Sequence, residues 1–138
     1  MLYEHLGARP RIHDTAVIAP TAVVSGDVEI GPGCQVLHGA VITAEGGAIT
    51  LGEHVIVMEN ALIRATAANA VHIGSHTLIG TLSSIAGATV GEETFLASGS
   101  RVCRAISDKV CHFSSCIIRP SVARIAGARP SARLCCAY

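Results

Sequence analysis

Large aliphatic residues recur every six positions along most of this chain. Ile12, Ile18, Val24, Ile30, Val36 and Ile42 keep the interval strictly. A smaller apolar residue stands two positions ahead of most of them: Ala16, Ala22, Val28, Cys34 and Ala40. The pattern resumes at Leu51, Val57 and Ile63, again at Ile73, Ile79 and Ile85, and runs on through Val90, Leu96 and Val102. A period of six matches neither the about 3.6 of an amphipathic helix nor the alternation of a half-buried strand. It marks a solenoid, in which each repeat buries its apolar side only by stacking on its neighbours.

Three hexads make one coil, and successive coils stack through parallel-strand hydrogen bonds. The aliphatics then sort into three vertical columns. Ile12, Ile30, Leu51, Ile73 and Val90 form the first; Ile18, Val36, Val57, Ile79 and Leu96 the second; Val24, Ile42, Ile63, Ile85 and Val102 the third. Each such side chain contributes roughly 1.5–3 kcal/mol on burial, before chain entropy is subtracted. Together they predict a core that does without aromatics, in keeping with two Phe, two Tyr and no Trp. Thr43–Ala48 (TAEGGA) and Arg64–His72 (RATAANAVH) lengthen coils, and both leave at the third column. The plain expectation for each is a surface loop, which is also where such arrays carry binding sites.

At 138 residues the chain is one domain. Its formal net charge of zero gives no reason to expect nucleic acid as a partner. The distribution says more. Residues 1–100 hold Arg9, Arg11 and Arg64 against nine carboxylates, a balance of −6; residues 101–138 hold six Arg and Lys109 against Asp108, a balance of +6. Thirteen of fourteen glycines fall in the first part and five of six cysteines in the second, so the tail differs sharply from the body. After Val102 the hexad fails, because Asp108 stands where an aliphatic is due. Ile106 and Val110 offer one irregular rung, and Ser121–Ala126 a short helix. Neither Cys111-x4-Cys116 nor the pair Cys135-Cys136 has zinc-site spacing. With no apolar leader and no apolar run of bilayer length, the expectation is a cytoplasmic protein with reduced cysteines and no membrane partner.

Ala19-Pro20-Thr21-Ala22 is followed by Ser25-Gly26-Asp27-Val28-Glu29-Ile30-Gly31 and then by Gln35-Val36-Leu37-His38-Gly39-Ala40-Val41-Ile42. These motifs, with the blocks Ile49 to Ile63 and Ile73 to Val102, resemble the hexapeptide-repeat proteins. Within them the chain is most similar to the γ-class carbonic anhydrases and their acyltransferase relatives, over residues 12–102. The resemblance implies a left-handed coil, an exception to the general right-handedness of parallel crossovers. It also implies a homotrimer with metal sites between subunits.

Zinc in that family is held by three histidines, one closing a Val-Ile-His segment and two in Gly-His-x4-His. Arg64, Thr81 and Ala86 stand at those positions here. Arginine stays protonated, threonine is a weak ligand and alanine has no donor, so no metal is expected. Without zinc no low-pKa bound water forms, and CO2 hydration is not expected either. The family's Arg-Gly-Asp reads Thr43-Ala44-Glu45, and its Gln-Asp reads Met58-Glu59. The polar set that remains falls on two adjacent lines: His38, Glu59, Thr81 and Ser98, then Thr43, Arg64 and Ala86. Glu59 is a candidate ion-pair partner for Arg64 across the corner.

Among the other histidines, His72 and His76 are four apart but straddle a solenoid corner, so they read as solvent-facing turn residues, with metal ligation by His72, His76 and a tail cysteine a distant alternative. His38 lies in the line of the family's site and is the candidate general base for acyl transfer, with Glu59 as the alternative base. No nucleophile elbow, P-loop or dinucleotide fingerprint is present.

The prediction is an all-β, left-handed parallel β-helix of about five coils. It comprises a lead-in over 1–11, the solenoid over 12–102, and a divergent, irregular or short-helical tail over 103–138. One functional reading is a metal-free trimeric binding or scaffold protein with no cofactor. The other is an acyltransferase taking acyl-CoA at the subunit groove, with backbone amides holding the oxyanion. A small-molecule ligand fits either.

Overall fold

The computed structural model describes residues 1–104 and 110–113. Among these residues run seventeen short strands, from Leu2–Tyr3 to Val110–Phe113, and no helix. They form three sheets of five, five and seven strands. In the first sheet Ile12 pairs with Ile30, Ile30 with Leu51, Leu51 with Ile73 and Ile73 with Val90. In the second, Ile18, Val36, Val57, Ile79 and Leu96 stand in one register. In the third, so do Val24, Ile42, Ile63, Ile85 and Val102. All these pairings are parallel, so the predicted columns are the sheets of a β-helix.

The column residues point inward. Val24, Ile42, Ile63, Ile73, Ile79 and Ile85 are wholly buried, while Ile12 and Ile18 at the lower end are partly covered. Glycine follows the first-column aliphatic because coils pass too closely there for a side chain. A Cβ on Gly31 would lie 2.4 Å from the Gly52 carbonyl oxygen. The smaller inward positions change character with height. Ala22, Cys34, Ala40, Val55 and Ala61 fill them in the lower coils, and Thr77, Ser83, Thr94 and Ser100 above. Thr77 Oγ1 donates to the Gly91 carbonyl and Ser83 Oγ to the Ala97 carbonyl, each at 3.0 Å. Among the described residues no buried side-chain nitrogen or oxygen lacks a partner.

Two expectations need correction, and a third is met. The two lengthened coils are not simple loops. Val41–Glu45 and Leu62–Thr66 run on as paired strands, with Arg64 opposite Thr43, Ala65 opposite Ala44 and Thr66 opposite Glu45. Alternation continues through both segments, and the small Ala44 and Ala65 fit inside, so the ladder extends before the chain turns. The lead-in is not outside the solenoid, since Leu2–Tyr3 adds a parallel strand below Val24 and Ser25. Val110 takes part in a rung that is irregular, as expected. Val110–Phe113 returns antiparallel along Arg101–Arg104 and ends the parallel stacking of the third sheet. Ile106 and the predicted helix at Ser121–Ala126 lie outside the described residues.

Candidate functional site

The corner between the second and third sheets gathers the predicted polar residues. Each stands two positions after a second-column aliphatic, and backbone bonds hold consecutive coils in line. Asn60 N–H donates to the His38 carbonyl (3.1 Å), Leu82 N–H to that of Glu59 (3.1 Å) and Gly99 N–H to that of Thr81 (2.8 Å). His38, Glu59, Thr81 and Ser98 therefore form one vertical line. Around the corner, Thr43, Arg64 and Ala86 form the next, in strand register.

Side-chain bonds within these lines are local. Thr81 Oγ1 donates to Ser98 Oγ at 2.9 Å. His38 Nδ1 lies 2.8 Å from Thr21 Oγ1, which also accepts the Gly39 N–H at 3.1 Å. Thr21 thus fixes the His38 ring, a role the repeat pattern did not reveal. Its signal was positional: Thr21 stands below the column occupied by Gly39 and Asn60 in later coils. Arg64 takes Glu45, not Glu59, as its ion-pair partner. Glu45 projects from the adjacent strand two residues further along the same outer face, whereas Glu59 lies before the turn at Asn60. Among the described residues the Glu59 carboxylate makes no ion pair. The Arg64 and Glu45 side chains are 51% and 38% exposed, so the pair contributes at most about 1 kcal/mol.

The same corner holds strained backbone. Asn60 (φ 56°) and Leu82 (φ 57°) occupy the left-handed region, in the column that elsewhere takes Gly39 and Gly99. Asparagine tolerates this conformation; for leucine it costs about 1–2 kcal/mol. Leu82 is also 69% exposed, beside Thr81.

Residues 9–44 match the family model described as bacterial transferase hexapeptide (six repeats). Gamma carbonic anhydrase 1, mitochondrial, of Arabidopsis thaliana is 32% identical over 97 residues, covering 66% of this chain and 35% of that protein. Gamma carbonic anhydrase 3, mitochondrial, of the same plant is 28% identical over 97 residues, covering 66% and 38%. This chain is a γ-carbonic-anhydrase-like member of the hexapeptide-repeat superfamily. It spans little more than a third of the length of those plant relatives. Among solved structures, the CcmM N-terminal domain crystallised with CcmN superposes with a TM-score of 0.66 at 22% identity. That match covers 75% of this chain and 84% of the domain, and it shows the shared β-helix fold.

At the positions the resemblance assigns to ligands, Arg64 is engaged by Glu45, Thr81 donates its hydroxyl proton to Ser98, and Ala86 offers no lone pair. Among the described residues, no three His, Cys, Asp or Glu side chains converge on a metal position. His72 and His76 are kept apart. His72 projects outward from the first sheet opposite Thr50 and Thr89, while His76 sits in the next corner against the ring of His54. No helix among the described residues is long and apolar enough to cross a membrane.

Proposed function

We propose that this chain is a homotrimeric γ-carbonic-anhydrase-like binding or scaffold protein that holds no zinc at the family's site and does not hydrate CO2. The observation that carries the reading is the ion pair of Arg64 with Glu45 at the first ligand position. A guanidinium cannot give up a proton to a metal, and its charge repels one. Without the metal, hydroxide is not generated at neutral pH.

The trimer is supported by the outer face of the second sheet. Val17, Leu37, Ile56, Met58, Leu78 and Phe95 present an apolar surface there, with Val17 63% and Phe95 39% exposed. An apolar face of this extent is what association between copies covers. The candidate corner borders it, so a neighbouring copy would lie against Arg64, Thr81 and Leu82. Residence in the cytoplasm belongs to the same reading, although the plant relatives are mitochondrial by name.

The test is metal content, oligomeric mass and CO2 hydration on one chelator-washed preparation. The expected result is a three-protomer mass and hydration at the uncatalysed rate, with no zinc assignable to the Arg64 corner. Catalysed hydration that a chelator abolishes would overturn it.

The exposed His38, oriented by Thr21, favours a second reading as an acyl-CoA-dependent acyltransferase. Its imidazole would act as general base, with Glu59 one coil above. Acyl-CoA would then raise the melting temperature of the wild type and of neither His38→Ala nor Thr21→Ala protein. No shift in the wild type leaves the scaffold reading alone.

A further inference from the structure

The opposite corner, between the first and second sheets, is built differently. Its turns follow the first-column residues, and the column three positions on reads Thr15, Gly33, His54, His76 and Glu93. Backbone bonds keep these turns in line: His54 N–H to the Pro32 carbonyl at 2.9 Å, His76 N–H to Glu53 at 2.8 Å, and Glu93 N–H to Ser75 at 2.9 Å. Gly33 has φ 67°, and the turns above keep that conformation with His54 at 51° and His76 at 56°. Histidine is not required for such a turn, and glycine or asparagine would meet it with less strain. Two successive coils nevertheless place an imidazole there.

The rings face each other in solvent, with centroids 5.3 Å apart and planes tilted by 44°. An ion bound by two imidazole nitrogens at about 2.0–2.1 Å in a tetrahedral shell holds the ring centroids roughly 5 Å apart. Gly33 makes room for the lower ring: a Cβ there would lie 2.4 Å from His54 Nδ1. With Nδ1 toward that glycine, Nε2 is the nitrogen His54 offers. The surrounding charge favours a cation. Asp14, Glu53, Glu92 and Glu93 all lie in this corner's turns and are exposed, and those turns contain no Arg or Lys. The field of four carboxylates raises the local concentration of a divalent ion.

We propose that His54 and His76 form a two-histidine site for a divalent transition-metal cation of the Zn2+, Ni2+ and Cu2+ type, with water filling the remaining positions. Neutral imidazole suits such ions, whereas the hard cations Mg2+ and Ca2+ prefer oxygen ligands. The site lies on a different corner from Arg64, Thr81 and Ala86. It does not depend on the function proposed above.

Calorimetric titration of Zn2+ into the chelator-washed full chain, with accessible cysteines alkylated, tests the site. One ion per protomer is expected, and Mg2+ gives no signal. His54→Asn and His76→Asn keep the left-handed turn, because asparagine tolerates it. Each is expected to weaken binding by roughly tenfold or more, whereas His13→Ala and His72→Ala leave it unchanged. Unchanged affinity in either asparagine variant, or no Zn2+ binding by the wild type, would overturn the site. CO2 hydration by the double asparagine variant reports separately on the Arg64 corner, so the two readings fail independently.

Discussion

The first and second sheets share one inner architecture and have opposite exteriors. Inside, Ile30 and Val36, or Ile73 and Ile79, occupy equivalent rungs and are equally buried. Outside, the first sheet shows Arg11, Glu29, Thr50, His72 and Thr89, with Arg11 in reach of both Asp27 and Glu29. The second shows Val17, Gln35, Ile56, Leu78 and Phe95 in the same outward positions. A solenoid rung constrains only what faces inward, because coil-to-coil hydrogen bonds are made by the backbone. The outward residue is left for other purposes. On the first sheet it is mostly polar; on the second it is mostly apolar, the face on which the proposed trimer rests.

The largest expected effect tests that division. Ile56→Arg with Leu78→Arg should reduce the mass in light scattering from three times the 14.2 kDa protomer to a single one. Thr50→Arg with Thr89→Arg, placed equivalently on the first sheet, should leave it unchanged. Loss of the trimer in both pairs would break the comparison. Next come the inner rungs, where the two sheets should behave alike. Ile73→Ala and Ile79→Ala should each lower unfolding free energy by about 2–5 kcal/mol in denaturant titrations. A large inequality between them would show that the exterior also sets core stability.

The Arg64–Glu45 pair, half exposed on the third sheet, stands between these cases. Arg64→Ala should cost at most about 1 kcal/mol and less at high salt. A larger loss would show that the pair is buried by a neighbouring copy. The smallest effect concerns Cys34, enclosed below the His54 corner with its thiol donating to the Gly52 carbonyl at 3.0 Å. Burial pushes this thiol's pKa above the ordinary value, so the folded state holds the proton longer than the unfolded chain does. Its contribution is complete below the unfolded thiol's pKa of about 8.5 and is lost as pH rises toward the folded value. Denaturant midpoints should therefore decline above that pH in the wild type and less steeply in Cys34→Ala.

Most of the fold was legible because a strict period of six leaves one way to bury every aliphatic residue. The column assignments follow from counting, and even the short step from Ile85 to Val90 is absorbed without loss of register. The candidate site was legible in part. Counting placed His38, Glu59, Thr81 and Ser98 on one line, and Thr43, Arg64 and Ala86 on the next. It paired Arg64 with Glu59, because sequence spacing gives no account of how far two neighbouring strands extend beyond the core. Once the strands Val41–Glu45 and Leu62–Thr66 continue side by side, Glu45 is the nearer carboxylate. Counting also gives the columns of Thr21 and His54, but not which side chains meet there, because those contacts depend on turn geometry and ring orientation.

The sequence by itself determined which residues face inward and in what vertical order, because burial of large aliphatics dominates the energetics and repeats with the chain. The tertiary structure alone decided which outward side chains meet. Those contacts run between coils, join residues 17 to 22 positions apart, and depend on local turn geometry that hydrophobic periodicity does not encode.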